Sequence, residues 1–208
     1  SVKGLGQDDT VRAIRRAAFQ QWRDTAFWRE AAAAIDSTSP SELPGWHLAQ
    51  VCLAFKSIDY VSPVLAAYLE RYFQDRRQVL NTFELSTVFS YFVLAGKVDG
   101  GDFVKEMADE ACNEWRKREK VPWSAWRMFV VGAKDAGLSH RQLFEVALPP
   151  LAKNVHSMNT RDVIDICTAC AVFRFKHKQL LEEVSRSLPS MGLRDREVEE
   201  LQSAFERL

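Results

Sequence analysis

The residues of this chain best placed to do chemistry are the pair Cys167-x-x-Cys170 and four histidines, His47, His140, His156 and His177. A cysteine pair at that spacing can hold zinc or cycle as a disulfide. A structural zinc site needs four ligands, usually from two such pairs, and the other cysteines, Cys52 and Cys112, stand alone. The histidines make no HExxH pair and join no nucleophile motif. Gly4-x-Gly6 has neither a third glycine nor a preceding strand, so it does not read as a phosphate loop. Helical carboxylates interleave with cations as they do on solvated faces. The expectation is a protein that is not an enzyme and that needs no cofactor and no metal.

Cations and aromatic rings give the remaining candidates. Arg12, Arg16, Lys56, Arg127 and Lys134 recur in successive helices away from the apolar stripe. They form an interrupted cationic track if those helices line one surface, and an ordinary solvated face otherwise. Phe173-Arg174-Phe175-Lys176-His177-Lys178 interleaves rings with cations, the mix that stacks bases and pairs phosphates. Arg174, Lys176 and Lys178 therefore join the candidate RNA contacts. Phe173 and Phe175 align with the packing positions of Ile58 and Leu138, so at least one ring is expected in the core. The run Arg116 to Lys120 reads as a helix end, where cations meet the carbonyl pole of the dipole. Trp46 and Trp123 lie just before two helices, either as staples at repeat junctions or as exposed anchors for a partner chain.

What must position these residues is a repeat. Segments led by Leu48, Leu85, Trp126, Val163 and Val198 share one register, with the leads 37, 41, 37 and 35 residues apart, and a similar run opens at Val11. Periods of this size signal stacked repeats. Each segment carries apolar residues or cysteine at offsets 0, +3, +4 and +7, the stripe of one helix face: Leu48, Val51, Cys52, Phe55; Leu85, Val88, Phe89, Phe92; Trp126, Phe129, Val130, Ala133; Val163, Ile166, Cys167, Cys170. A second helix follows, anchored at offset +17 by Leu65, Leu143 and Leu180, and at +18 by Phe103 after the loop Lys97 to Gly101. Asn81 and Asn159 mark helix starts as side-chain acceptors, and Pro44 and Pro122 suit the same entrance by lacking an N–H. Cys167 and Cys170 fall on core offsets and are expected to act as small hydrophobes. In the terminal unit Arg15 takes a core offset, as a polar cap would. Val198, Leu201 and Phe205 read as the first helix of a half repeat.

The fold class that follows is all-α, an α-solenoid of about five helical hairpins, written as one domain over 1–208 with repeats starting near 11, 48, 85, 126 and 163 and a half repeat near 198. Composition fits: 47% hydrophobic residues supply a core, and 28 Lys plus Arg balance 28 Asp plus Glu, so attraction to nucleic acid or anionic membrane must come from local patches. No apolar run approaches the roughly 20 residues of a membrane span, so no membrane insertion is expected. Four cysteines embedded in helical pattern point away from a secreted disulfide framework.

The runs Leu53 to Leu65 and Gly132 to Phe144, with this period and anchor register, resemble heptatricopeptide-type helical repeats, related in style to octotricopeptide repeats and found in FAST-kinase-like and RAP-domain proteins. The resemblance covers about Val11 to Leu188. It implies a mitochondrial protein in organellar RNA biology: a non-catalytic component of a mitochondrial ribosome or of an RNA-processing or stability complex. Its partners would be protein subunits of a large assembly together with single-stranded or structured RNA. The alternative is a pure protein scaffold or accessory subunit of a large respiratory or ATP synthase complex, a reading that the balanced charge favours.

Overall fold

The structure, a computed structural model, describes residues 1–95, 101–115 and 121–208. Among the described residues every regular element is helical: α1 (Gln7–Phe19), α2 (Thr25–Asp36), α3 (Gly45–Ser57), α4 (Pro63–Arg76), α5 (Thr82–Ala95), α6 (Gly101–Trp115), α7 (Trp123–Asp135), α8 (Arg141–Lys153), α9 (Thr160–Val172), α10 (Lys178–Ser187) and α11 (Asp195–Arg207), with short 3₁₀ turns at Arg77–Val79, Val155–Ser157 and Leu188–Ser190. Of the loop expected at Lys97 to Gly101, residues 97–100 lie outside the described residues and Gly101 opens α6; the basic run Arg116 to Lys120 also lies outside them.

The chain divides into two compact units, residues 1–103 and 104–208, with the division falling inside α6. In the first unit α1 packs on α3 and α3 on α5, while α2 packs on α4. In the second, α7 packs on α9 and α9 on α11, while α8 packs on α10. First helices thus stack against first helices and second helices against second helices within each unit. That is how hairpins with one unmet apolar face hide it.

The apolar stripes read from the sequence are the buried faces. Leu48, Val51, Cys52 and Phe55 are fully enclosed, as are Phe129, Val130, Ala133 and Cys167, and each large side chain so placed contributes about 1.5–3 kcal/mol relative to exposure. The second-helix anchors Leu65, Leu143 and Leu180 are equally buried, and so is Phe103. In α1 the buried face is Val11, Ile14, Ala17 and Ala18, while Arg15 stands in solvent. Repeat register puts Arg15 at a core offset, but the buried face of α1 is turned toward Ala17, about 200° round the helix from Arg15, so the arginine lies outside the core. Val198 and Phe205 of α11 are half-covered and Leu201 is buried against α9.

Turn chemistry repeats as regularly as the core. Four first helices end on a residue with positive φ: Gln21 (52°), Asp59 (55°), Gly137 (67°) and Arg174 (55°). In each case the next residue's N–H reaches back to the carbonyl five residues earlier: Trp22 to Ala17 at 2.9 Å, Tyr60 to Phe55 at 3.0 Å, Leu138 to Ala133 and Phe175 to Cys170 at 2.8 Å. These are left-handed C-terminal caps, which favour glycine because it carries no Cβ penalty. Only one of the four positions has it.

Candidate functional site

The second helices start on a polar side chain three residues before the leucine anchor. Ser62 Oγ accepts from the Leu65 N–H at 3.3 Å, His140 Nδ1 from the Leu143 N–H at 3.1 Å and His177 Nδ1 from the Leu180 N–H at 3.2 Å. An imidazole nitrogen that accepts from the backbone must be unprotonated, which leaves the proton on Nε2. His140 Nε2 then faces Asp109 Oδ1 at 2.8 Å. Burial raises the Asp109 carboxyl, but hydrogen bonds from Lys105 and His140 outweigh it and hold its pKa below the ordinary value. Burial lowers the pKa of His177, which favours its neutral, capping form. Sequence spacing separates these two histidines from His156 and from His47. His47 lies in the first turn of α3, with Nε2 3.6 Å from Asp8 and its pKa lowered by burial.

The cysteines occupy the core as expected. Cys167 and Cys170 are buried, and burial pushes the Cys167 thiol up to about 12 and the Cys170 thiol up as well. A thiol held that high is almost wholly protonated at neutral pH and a poor nucleophile or ligand. Among the described residues no three His, Cys, Asp or Glu side chains group as a metal site would need. No described helix is long and apolar enough to cross a membrane.

The cationic track separates into side chains that are engaged and side chains that are not. Arg127 of α7 is three-quarters covered and sits between two carboxylates of α9: its Nε is 2.5 Å from Asp162 Oδ1, an ion contact without hydrogen-bond alignment, and its Nη2 donates to Asp165 Oδ2 at 3.3 Å. Arg161 carries the pattern on, 2.9 Å from Asp165 and 3.0 Å from Glu200 of α11, and Arg196 pairs with Glu200 at 3.3 Å. The result is a charge-neutral ladder across three neighbouring first helices. It borders a groove of about 510 Å³ to which Lys134, Thr168 and Arg207 contribute. Lys134 is mostly covered and 3.2 Å from Asp135.

In the first unit Lys56 of α3 donates to Ser90 of α5, tying those two helices together. Arg12 pairs with its own helix neighbour Asp9 at 3.0 Å, fully in solvent. Arg16 is exposed with no ion partner among the described residues.

The aromatic-basic segment is split by face. Phe173 and Phe175 both pack on Phe144, with ring centroids 5.5 and 5.1 Å away, and both are half-buried. Arg174, Lys176 and Lys178 stand in solvent, and Lys178 leans 3.6 Å from Glu182 in its own helix. Trp46 is 50% exposed and its ring lies 3.7 Å from that of His47, whereas Trp123 is half-buried. Phe83, at the start of α5, is 56% exposed. It holds the register position of Trp46, two residues before the first-helix lead, a match visible only when unlike aromatic residues are aligned between repeats.

Two features of this surface could have been found from the sequence. His140 and His177 share offset +14 with Ser62, and Arg127 stands one repeat before acids at the flanking positions Asp162 and Asp165. Both need comparison between repeats, not inspection of one helix face. Compared with family models and with curated proteins, the chain finds no match.

Proposed function

We propose that this chain is a non-catalytic helical-repeat component of an organellar RNA–protein assembly. It contacts RNA through cations left without partners at the ends of first helices, and its remaining surfaces meet protein neighbours. The observation that supports this reading most is the division among the cations. Arg127, Arg161 and Arg196 are neutralised inside the ladder, while Arg16, Arg174 and Lys176 project into solvent beside helix ends. Cations without ion partners can neutralise phosphates without first breaking internal ion pairs. The organelle, a mitochondrion, comes from the repeat resemblance.

A pure protein scaffold is the second reading. The exposed Trp46 and Phe83 at neighbouring helix starts, with Val79 54% exposed close by in sequence, favour it, because aromatic side chains of that kind anchor protein interfaces. Ultraviolet crosslinking inside the native assembly, followed by mapping of the crosslinked peptides, separates the two. Crosslinks to RNA at the segment 173–178 support the RNA reading. Protein crosslinks alone, centred on Trp46 and Phe83, would replace it with the scaffold.

A further inference from the structure

Arg174 is held at φ 55°, although the equivalent position in the preceding repeat is Gly137 at 67°. An L-residue there costs backbone energy that glycine does not, a cost the chain also bears at Gln21 and Asp59. Beside it runs a groove of about 590 Å³ between the ends of α9 and α11, lined by Ala171, Val172, Arg174, Glu206 and Arg207. Its apolar part is Val172, 48% exposed, beside the buried Ala171. Neither Arg174 nor Arg207 has an ion partner among the described residues, in contrast to the ladder arginines Arg161 and Arg196 at the opposite ends of the same two helices.

We propose that this groove seats one nucleotide of single-stranded RNA, an inference that rests on the RNA reading above and gives it a location. Arg174 and Arg207 pair the phosphate through their planar, multi-donor guanidinium groups, and the base lies on Val172 and against a guanidinium face. Glu206, on the rim, accepts from the ribose 2′-hydroxyl, the group that distinguishes RNA from DNA. Arg207 and Val172 were not among the residues the sequence singled out. The signal is their place opposite a strained arginine, which no linear pattern shows.

The test measures fluorescence anisotropy of a labelled oligouridylate, and of its deoxy counterpart, titrated with the chain at low salt. Arg174→Gly is the decisive variant because it removes the cation while relieving the backbone, so loss of binding cannot be ascribed to unfolding. The expected result is roughly tenfold weaker RNA binding for Arg174→Gly and for Arg207→Ser, with thermal melting of Arg174→Gly no lower than that of the parent. Weaker binding by the deoxy oligomer is expected of the parent chain. Unchanged binding in both variants, with loss on Arg16→Ser, would overturn the groove and leave the RNA reading standing. Equal affinity for RNA and DNA would overturn the assignment of the ribose contact and of RNA as the occupant. No binding by the parent chain would overturn both the groove and the reading on which it rests.

Discussion

The two units use one helical register in two ways. In residues 104–208 the positions flanking each first-helix lead are charged and interlocked, Arg127 with Asp162 and Asp165, then Arg161 with Glu200. In residues 1–103 the positions of those acids, one before and two after the lead, carry His47, Gln50, Glu84 and Thr87. Glu84 is used in a capping box with Asn81, and His47 Nδ1, Gln50 Oε1 and Thr87 Oγ1 have no hydrogen-bond partner among the described residues. The first unit is instead knitted by rings: Trp28 packs edge-on against Phe55, Phe55 against Tyr91, and Phe73 against Phe103. It also threads buried hydroxyls to backbone, with the Ser62 N–H donating to Tyr91 Oη and Tyr72 Oη donating to the Leu43 carbonyl. Stacked hairpins therefore need lateral ties between first helices, but the ties need not be of one chemistry. A tie made of ion pairs responds to charge removal, and a tie made of rings and hydroxyls does not.

The largest expected effect follows directly. Arg127→Ala strips the counter-ion from the mostly covered Asp162 and leaves Asp165 to Arg161 alone, and should cost about 2–4 kcal/mol. Arg12→Ala, at the same register in the first unit, breaks only a solvent-exposed pair and should cost less than about 0.5 kcal/mol. Chemical denaturation of the two variants measures both. Similar values would remove the distinction between the units. Replacing Cys167 and Cys170 together by Ala should cost about 1–3 kcal/mol through small voids, with RNA binding unaltered. Stoichiometric zinc in the parent chain that disappears in this double variant would contradict the core assignment.

The helix caps sharpen the comparison through pH. His177 has a folded pKa below its unfolded value, so the unfolded chain takes up the proton first. Its contribution is complete above about pH 6.5 and declines as pH falls through the folded pKa, by about 1 kcal/mol, the typical value of one cap. His177→Asn should keep the cap and remove that part of the pH dependence. Ser62→Ala should also cost about 1 kcal/mol, by the same amount at pH 5 and pH 8. Melting curves at the two pH values decide the matter, and a Ser62 variant that is the more pH-sensitive would refute the cap assignment. The smallest effect is at the left-handed caps. Arg174→Gly should stabilise by about 0.5–1 kcal/mol, and Gly137→Ala should destabilise by about 1 kcal/mol. A Cβ at Gly137 meets no atom within 4 Å, so that loss would be purely conformational.

Much of this was legible in the residues. The stripes led by Leu48, Leu85, Trp126 and Val163 are buried as their spacing requires, and Asn81, Asn159, Pro44 and Pro122 all stand at helix starts. Burial of Cys167 and Cys170 followed from the same register. What stayed hidden lies between elements. Arg127 looks like a solvated cation on its own helix, because its partners are 35 and 38 residues away and only helix packing brings them within reach. Histidine is an unusual helix cap, so nothing in the local sequence marks His140 and His177 as caps, and their common spacing of three residues before Leu143 and Leu180 shows only between repeats. The strain at Arg174 is a dihedral, and the hexapeptide around it shows only rings and charges.

The central claim is that ladder cations hold helices together while unpartnered cations at helix ends contact RNA, and the salt dependence of RNA binding tests it most directly. Three to four phosphate contacts give a slope of log affinity against log salt of about −2 to −3 for a single strand. The account predicts that Arg16→Ser combined with Lys176→Ser flattens that slope by about 1.4, and that Arg127→Met melts earlier than the parent yet keeps the parent's slope. A slope flattened by Arg127→Met and untouched by the paired helix-end substitutions would contradict the account.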